Sequence, residues 1–359
     1  MSSRKLIILG IITACMIAWA VVQSHLSKQY SQEPKAPVYL FQGLDPSDIG
    51  SIVLGKGEDA VTLKREDSNF VVTNKDGYPA VTQEINALIT TCLDIQTTEL
   101  YTENPANHKD LGVTEEEAKH IVKFLRPDSA LLAGVIVGKD NEKGHRNFVR
   151  LIPGDRVYVA PELPWIKDQA MNYVKKEIIS VSREDIESVT VHSPAESYTL
   201  HANKEGEGIV LENPPAGKKL KEGEGENIFT ALTYLQFQDV KKISQQDGEL
   251  PFERKFICRK KDSTVYTLKI ARKDGKTYLI CDCEFTDNTP VTKENSIESE
   301  EELKKKESKL LAMERAKEFT ARHTGWIYEI AEHDAGKLVK ELSELLEDEE
   351  VSPKDNGEE

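Results

Sequence analysis

Basic side chains are in deficit in this sequence: 47 Lys and Arg stand against 62 Asp and Glu, a formal net charge of −15 at pH 7. A nucleic-acid binder needs a basic face to displace phosphate counterions, so the balance argues against that class. Peripheral attachment to anionic lipid is disfavoured on the same ground. Cysteine is scarce as well, and five in 359 residues rule out a disulfide-dense miniprotein. Beyond Val22 there is no further long apolar run, so at most one membrane pass is available. What is there suffices for folded cores: 38 % of residues are hydrophobic, and the length fits two domains or three small ones.

Signatures of catalysis are also missing. Gly55-Lys56-Gly57 lacks the spacing of a phosphate loop, and Glu222-Gly223-Glu224-Gly225-Glu226 would repel phosphate, so both read as turns. The histidines, His25, His108, His120, His145, His192, His201, His323 and His333, include no His-Glu-x-x-His spacing. His192 and His201 are expected to be exposed or singly hydrogen-bonded, with a metal-binding approach across a hairpin as the alternative. Cys281 and Cys283 alternate with Leu279 and Phe285, which places all four on one strand face as buried small hydrophobes. A disulfide from Cys258 to one of them is the alternative, leaving Cys92 unmatched. No Gly-x-Ser-x-Gly elbow occurs. The expectation is no catalytic, cofactor-binding or metal-binding residue, no cofactor, and no enzyme.

The N-terminus carries the strongest signal. Arg4 and Lys5 precede an uncharged run, Leu6–Val22, which as a helix spans roughly 25 Å. That predicts a signal anchor over residues 1–24, a single inner-membrane pass with the N-terminus cytoplasmic and the body periplasmic. Cleavage after Ala20 and lipidation at Cys15 stay open as alternatives. Residues 25–40 read as a linker, with Pro34 and Pro37.

The body reads as an internal repeat, with a first module over 41–180 and a second over 181–348. Leu44-Asp45-Pro46-Ser47-Asp48-Ile49-Gly50-Ser51-Ile52 corresponds to Val181-Ser182-Arg183-Glu184-Asp185-Ile186-Glu187-Ser188-Val189. Both have an N-cap residue and an acid three positions on, then an alternating strand. Further pairs follow in the same order, Cys92–Gln96 with Tyr234–Gln238 and Val157-Tyr158-Val159 with Ile327-Tyr328-Glu329. In the first module, strands are expected near Ser51–Leu54, Ala60–Lys64, Phe70–Thr73, Gln96–Tyr101, His120–Leu125, Leu131–Gly138, Asn147–Ile152 and Val157–Ala160. A helix is expected near Thr82–Asp94. The connections are too short for parallel crossovers. The expected class is α+β: a transmembrane helix, then two repeated modules of mainly antiparallel sheet with one packed helix each.

A charged insertion, 287–320, interrupts the second module. Ser299 and Glu302 form a capping box for a helix with a thin stripe of Leu303, Leu310, Leu311 and Phe319, read as solvated, with docking as the alternative. A last helix is expected over Ala335–Leu346, then an acidic disordered tail, 349–359. Trp165, in Pro161-Glu162-Leu163-Pro164-Trp165, is expected to pack the junction between modules, with a recognition edge as the alternative. Edge strands are open to augmentation by a partner, with no mark of which edge.

The basic-plus-apolar N-terminus, Leu44–Ile52, the helix after it, Asp110-Leu111-Gly112, and Trp165-Ile166-Lys167-Asp168 before Ile178-Ile179-Ser180 resemble the domain-of-unknown-function 4340 family (DUF4340). The resemblance implies a bacterial envelope protein associated with ABC-transporter or gliding-type auxiliary components, and no catalytic residues. Expected partners are thus the membrane, through Leu6–Val22, and an ABC-transporter component. The expected function is a membrane-anchored periplasmic scaffold or accessory protein. A periplasmic small-molecule or glycan binding module and a hydrolase with a site assembled from distant residues remain alternatives.

Overall fold

The computed structural model describes residues 38–141, 146–163, 165–203, 208–246, 248–292 and 299–349, together with Met16 and Trp19. It is mostly antiparallel sheet, in two compact units: Met1–Ala60 with Asn86–Asp168, and Val61–Ile85 with Gln169–Glu359.

In the first unit, Ser51–Leu54, His120–Leu125, Leu131–Asn141, Arg146–Ile152, Val157–Ala160 and Glu99–Thr102 lie side by side, each antiparallel to its neighbour. Alternation explains the pairing, since Ile52 and Leu54 are buried while Ser51 and Val53 are half-buried. One layer of the core is formed by Val113, Ile121, Ile136, Phe148, Val157 and Val159. Asp45 opens a one-turn 3-10 helix, Pro46–Asp48, by accepting from the Ser47 N–H at 2.8 Å. Gly112 takes φ +69°, and a Cβ on Gly138 would lie 2.4 Å from the Leu111 carbonyl oxygen. The Asp110-Leu111-Gly112 loop can therefore press on its strand only because both positions lack a side chain.

In the second unit a nine-stranded sheet runs in the order Glu177–Ile179, Leu235–Lys242, Trp326–Ile330, Lys276–Phe285, Thr264–Lys273, Arg254–Lys260, Ile186–His192, Ser197–Ala202 and Ile209–Leu211. Residues 61–85 group with this unit. Tyr78 sets its ring against Trp326 (4.8 Å between centroids), Phe237 (5.7 Å) and Tyr328 (6.4 Å). Lys75 pairs with Asp239 at 2.6 Å, and the Val81 N–H donates to the Tyr173 carbonyl at 2.8 Å.

The fold class needs correction. Among the described residues no helix is long and apolar enough to cross a membrane. The longest, Glu300–His323, is charged throughout its length, which excludes it from hydrocarbon. Leu6–Val22 lies outside the described residues apart from Met16 and Trp19, both exposed, so the expected transmembrane helix has no support here. One packed helix per module is also incorrect. Alongside α1 (Thr82–Leu93), the second unit holds α2 (Glu224–Phe229), α3 (Glu300–His323), α4 (Glu332–Leu338) and α5 (Leu342–Leu345). The expected last helix is split because Glu341 starts a new one: it caps α5 reciprocally with Glu344. Leu346–Asp348 then pairs with Lys218–Leu220 as a strand. The expected strand Gln96–Tyr101 is two pieces, Gln96–Thr97 and Glu99–Thr102. The tail beyond Glu349 lies outside the described residues.

Candidate functional site

Strand Glu99–Thr102 ends its sheet. It pairs with Val157–Val159 on one side, through Val157↔Thr102, Tyr158↔Leu100 and Val159↔Glu99. Its Leu100 and Tyr101 are about half exposed, Tyr101 leaning on Phe148 at 4.7 Å. The neighbouring strand leads past Ala160 into the connection that carries Trp165. Trp165 is 86 % exposed, whereas Ile166 is 6 % exposed. This corrects the expectation that Trp165 packs a junction. Ile166 takes the buried position, and the preceding indole faces outward. A Trp with this much surface in water is an unfilled contact.

In the second unit α3 rests one narrow face on the Lys276–Phe285 strand, and the rest of its surface is in solvent. Ala312 and Ala316 are both 3 % exposed, and their small side chains let the helix approach closely. Thr320 ties helix to strand: its hydroxyl donates to the Cys283 carbonyl at 2.7 Å, and its oxygen accepts from the Cys283 N–H at 3.2 Å. Ser299 and Glu302 complete the capping box. After the strand, residues 285–292 run back along the helix as a strap. Lys309 pairs with Asp287 at 2.7 Å and donates to the Thr289 carbonyl at 2.6 Å, while Lys306 donates to the Thr292 carbonyl at 2.7 Å. The Lys309 bond, then the Thr289 hydroxyl and N–H, hold Asp287 well below the usual carboxylate range. Clefts of about 810 and about 500 Å³ open along this strap and share Phe285, Pro290, Val291 and Lys309 in their walls.

The cysteines among the described residues, Cys92, Cys258, Cys281 and Cys283, are free and buried. Cys258 pairs in register with Tyr266, and Tyr266 with Cys283, so the two thiols stand two strands apart. That is roughly 9–10 Å, beyond disulfide reach. Burial pushes the thiols of Cys92, Cys258 and Cys283 up to about 12 and that of Cys281 higher, so they stay protonated and unreactive.

The histidines are dispersed. Register sets His192 opposite Ser197 and His201 opposite Ser188, so the two rings do not meet across their hairpin. His201 instead faces Glu212 at 3.1 Å. His108 bonds the Asp155 carbonyl at 2.9 Å, and His120 Nδ1 lies 3.9 Å from Asp168, too far for a hydrogen bond. His25 and His145 lie outside the described residues, as does Cys15. His323 is buried with Nδ1 2.7 Å from the Tyr328 hydroxyl, and its Nε2 finds no partner among the described residues. Burial first, then Arg322 and Lys175, lower its pKa to about 4. Among the described residues no group of three His, Cys, Asp or Glu is placed to hold a metal ion. Gly55 and Gly57 take φ of +85° and +64° in a turn where Lys56 bonds the Glu116 carbonyl, and Gly223, at φ +78°, precedes α2.

Sequence reasoning named Trp165 and α3 but missed the strap, whose Asp287, Thr289 and Pro290 looked like an ordinary loop. A family model described as a domain of unknown function (DUF4340) matches residues 71–251, just over half of the chain. The match stops short of the Lys276–Phe285 strand, the strap and α3. No curated protein and no solved structure matches the chain.

Proposed function

This chain belongs to the DUF4340 family, and from that premise we propose that it is a non-enzymatic scaffold, an accessory protein that holds a partner against its first unit on the periplasmic side. The observation that carries the reading is Trp165, 86 % exposed and held outward by the buried Ile166. Trp is the side chain most enriched among residues that dominate protein interfaces, where truncation costs about 2 kcal/mol or more. Leu100 and Tyr101, half exposed on an end strand, supply a backbone edge that a partner strand can extend. On this reading the partner is a component of an ABC-type transporter complex, the class that the family resemblance suggests.

The test is affinity purification from native membranes in mild detergent, wild type beside Trp165→Ala and Leu100→Asp. The wild type is expected to enrich a transporter permease or ATPase, and each variant to lose most of it while its stability stays within about 0.5 kcal/mol, as it does for exposed substitutions. Equal recovery with all three proteins, or no membrane protein with the wild type, overturns the reading.

A further inference from the structure

We propose that the cleft along α3 binds a single-chain amphiphile with an anionic head, of the long-chain fatty acid class. The site lies in the second unit, outside the family-matched segment, and is independent of the scaffold reading.

Its walls are apolar on both sides: Phe285, Pro290 and Val291 from the strap, Leu310, Met313 and Ala316 from the helix. Val291 and Leu310 remain 38 % and 46 % exposed, beside the ties that Lys309 and Lys306 make from helix to strap. The apolar surface between those ties is left uncovered. Leu310, Met313, Lys317 and Ala321 follow at helical spacing along one stripe. From Lys305 to Ala321 the stripe is roughly 24 Å long. A groove of this length and little depth suits an unbranched chain better than a compact ring system. The larger cleft, about 810 Å³, falls within the roughly 300–1,000 Å³ typical of small-molecule sites.

Charge selects the head group. On a chain of net charge −15, the end near the helix start gathers Lys261, Lys305, Lys306 and Lys309. The carboxylates lining this end among the described residues are committed, Asp287 to Lys309 and Asp262 to Lys260, and Glu302 to the helix cap. Lys261 and Lys305 have no carboxylate partner among the described residues, so an incoming anion meets uncompensated cations. A carboxylate would sit there with its tail running toward Ala321. Lys317, farther along, adds its aliphatic stem to the wall.

The experiment titrates the full chain with cis-parinaric acid, whose fluorescence rises in apolar surroundings, and with its uncharged methyl ester. Saturable binding of one acid per chain is expected, at least about tenfold tighter than the ester. Lys261→Glu with Lys305→Glu should weaken the acid about tenfold or more and leave the ester unchanged. Ala321→Trp, at an exposed position on the cleft wall, should weaken both by blocking the tail. Circular dichroism confirms that each variant is folded. Absence of saturable binding, or acid binding indifferent to both variants, overturns the proposal.

Discussion

His323 is the side chain whose environment is most at odds with its chemistry. Its ring is packed between Phe319 at 4.3 Å and Tyr328 at 5.5 Å, and burial lowers its pKa from 6.5 to about 4. Between those values the unfolded chain binds a proton that the folded chain refuses. Stability should therefore be fully present above about pH 6.5 and be lost as pH falls toward 4, by on the order of 2–3 kcal/mol. His323→Gln removes that slope, so the wild-type loss in urea midpoint between pH 7 and pH 5 should exceed the variant's. Parallel curves would count against a buried neutral imidazole. The cysteines make a second residue-scale prediction. Cys92, Cys258, Cys281 and Cys283 are buried free thiols, so a thiol reagent at pH 8 should find at most one reactive group, Cys15, in the native chain. All five should react after denaturation. A count of three after denaturation would reveal a disulfide that the strand register forbids.

At the scale of elements, α3 shows what a sequence displays and what it conceals. Its start is legible to the residue, because Ser299 and Glu302 form a capping box whose chemistry is local. Replacing Ser299 with Ala should cost about 1 kcal/mol and speed hydrogen exchange in the first turn, while exchange in the Lys276–Phe285 strand holds. The way α3 packs is not legible. The side chains that meet the sheet are Ala312 and Ala316, too small to register as a hydrophobic stripe, while the conspicuous Leu303, Leu310 and Leu311 point outward, each close to half exposed. Ala312→Met should thus cost about 1–3 kcal/mol by overpacking, measured by urea denaturation; a neutral result would mean that the helix does not rest there. The same division holds elsewhere. Strands His120–Leu125 and Val157–Ala160, and the start of helix Thr82–Leu93, are readable from alternation and turn residues. The split between α4 and α5 is not, because the apolar pattern runs on through Val339 and Leu342 while the capping at Glu341 interrupts the backbone. Trp165 stood out by its type, but only the neighbour that takes the buried position, Ile166, decides that the indole faces water.

For the whole molecule the consequential fact is that chain order and packing order differ. Residues 61–85 interrupt the first unit in chain order and group by their contacts with Gln169–Glu359. Short-range patterns identify the strands in this stretch but not the side chains they cover, since nothing local encodes which distant aromatics Tyr78 will meet. Its ring is 5 % exposed and touches Phe237, Trp326 and Tyr328, while Lys75 and Asp76 bond the Leu235–Lys242 strand through Asp239 and the Lys242 N–H. Tyr78→Ala in the full chain should therefore cost about 3–5 kcal/mol, as removal of a buried aromatic does. Dissection gives the sharper test. A fragment of residues 169–359 leaves the aromatic face of Phe237, Trp326 and Tyr328 without its cover. It should bind a hydrophobic dye that the full chain excludes and unfold at lower urea, and a synthetic peptide of residues 61–85 should reverse both effects. If the fragment alone matches the full chain in dye binding and urea midpoint, the 61–85 segment is an attachment rather than part of the second unit's core.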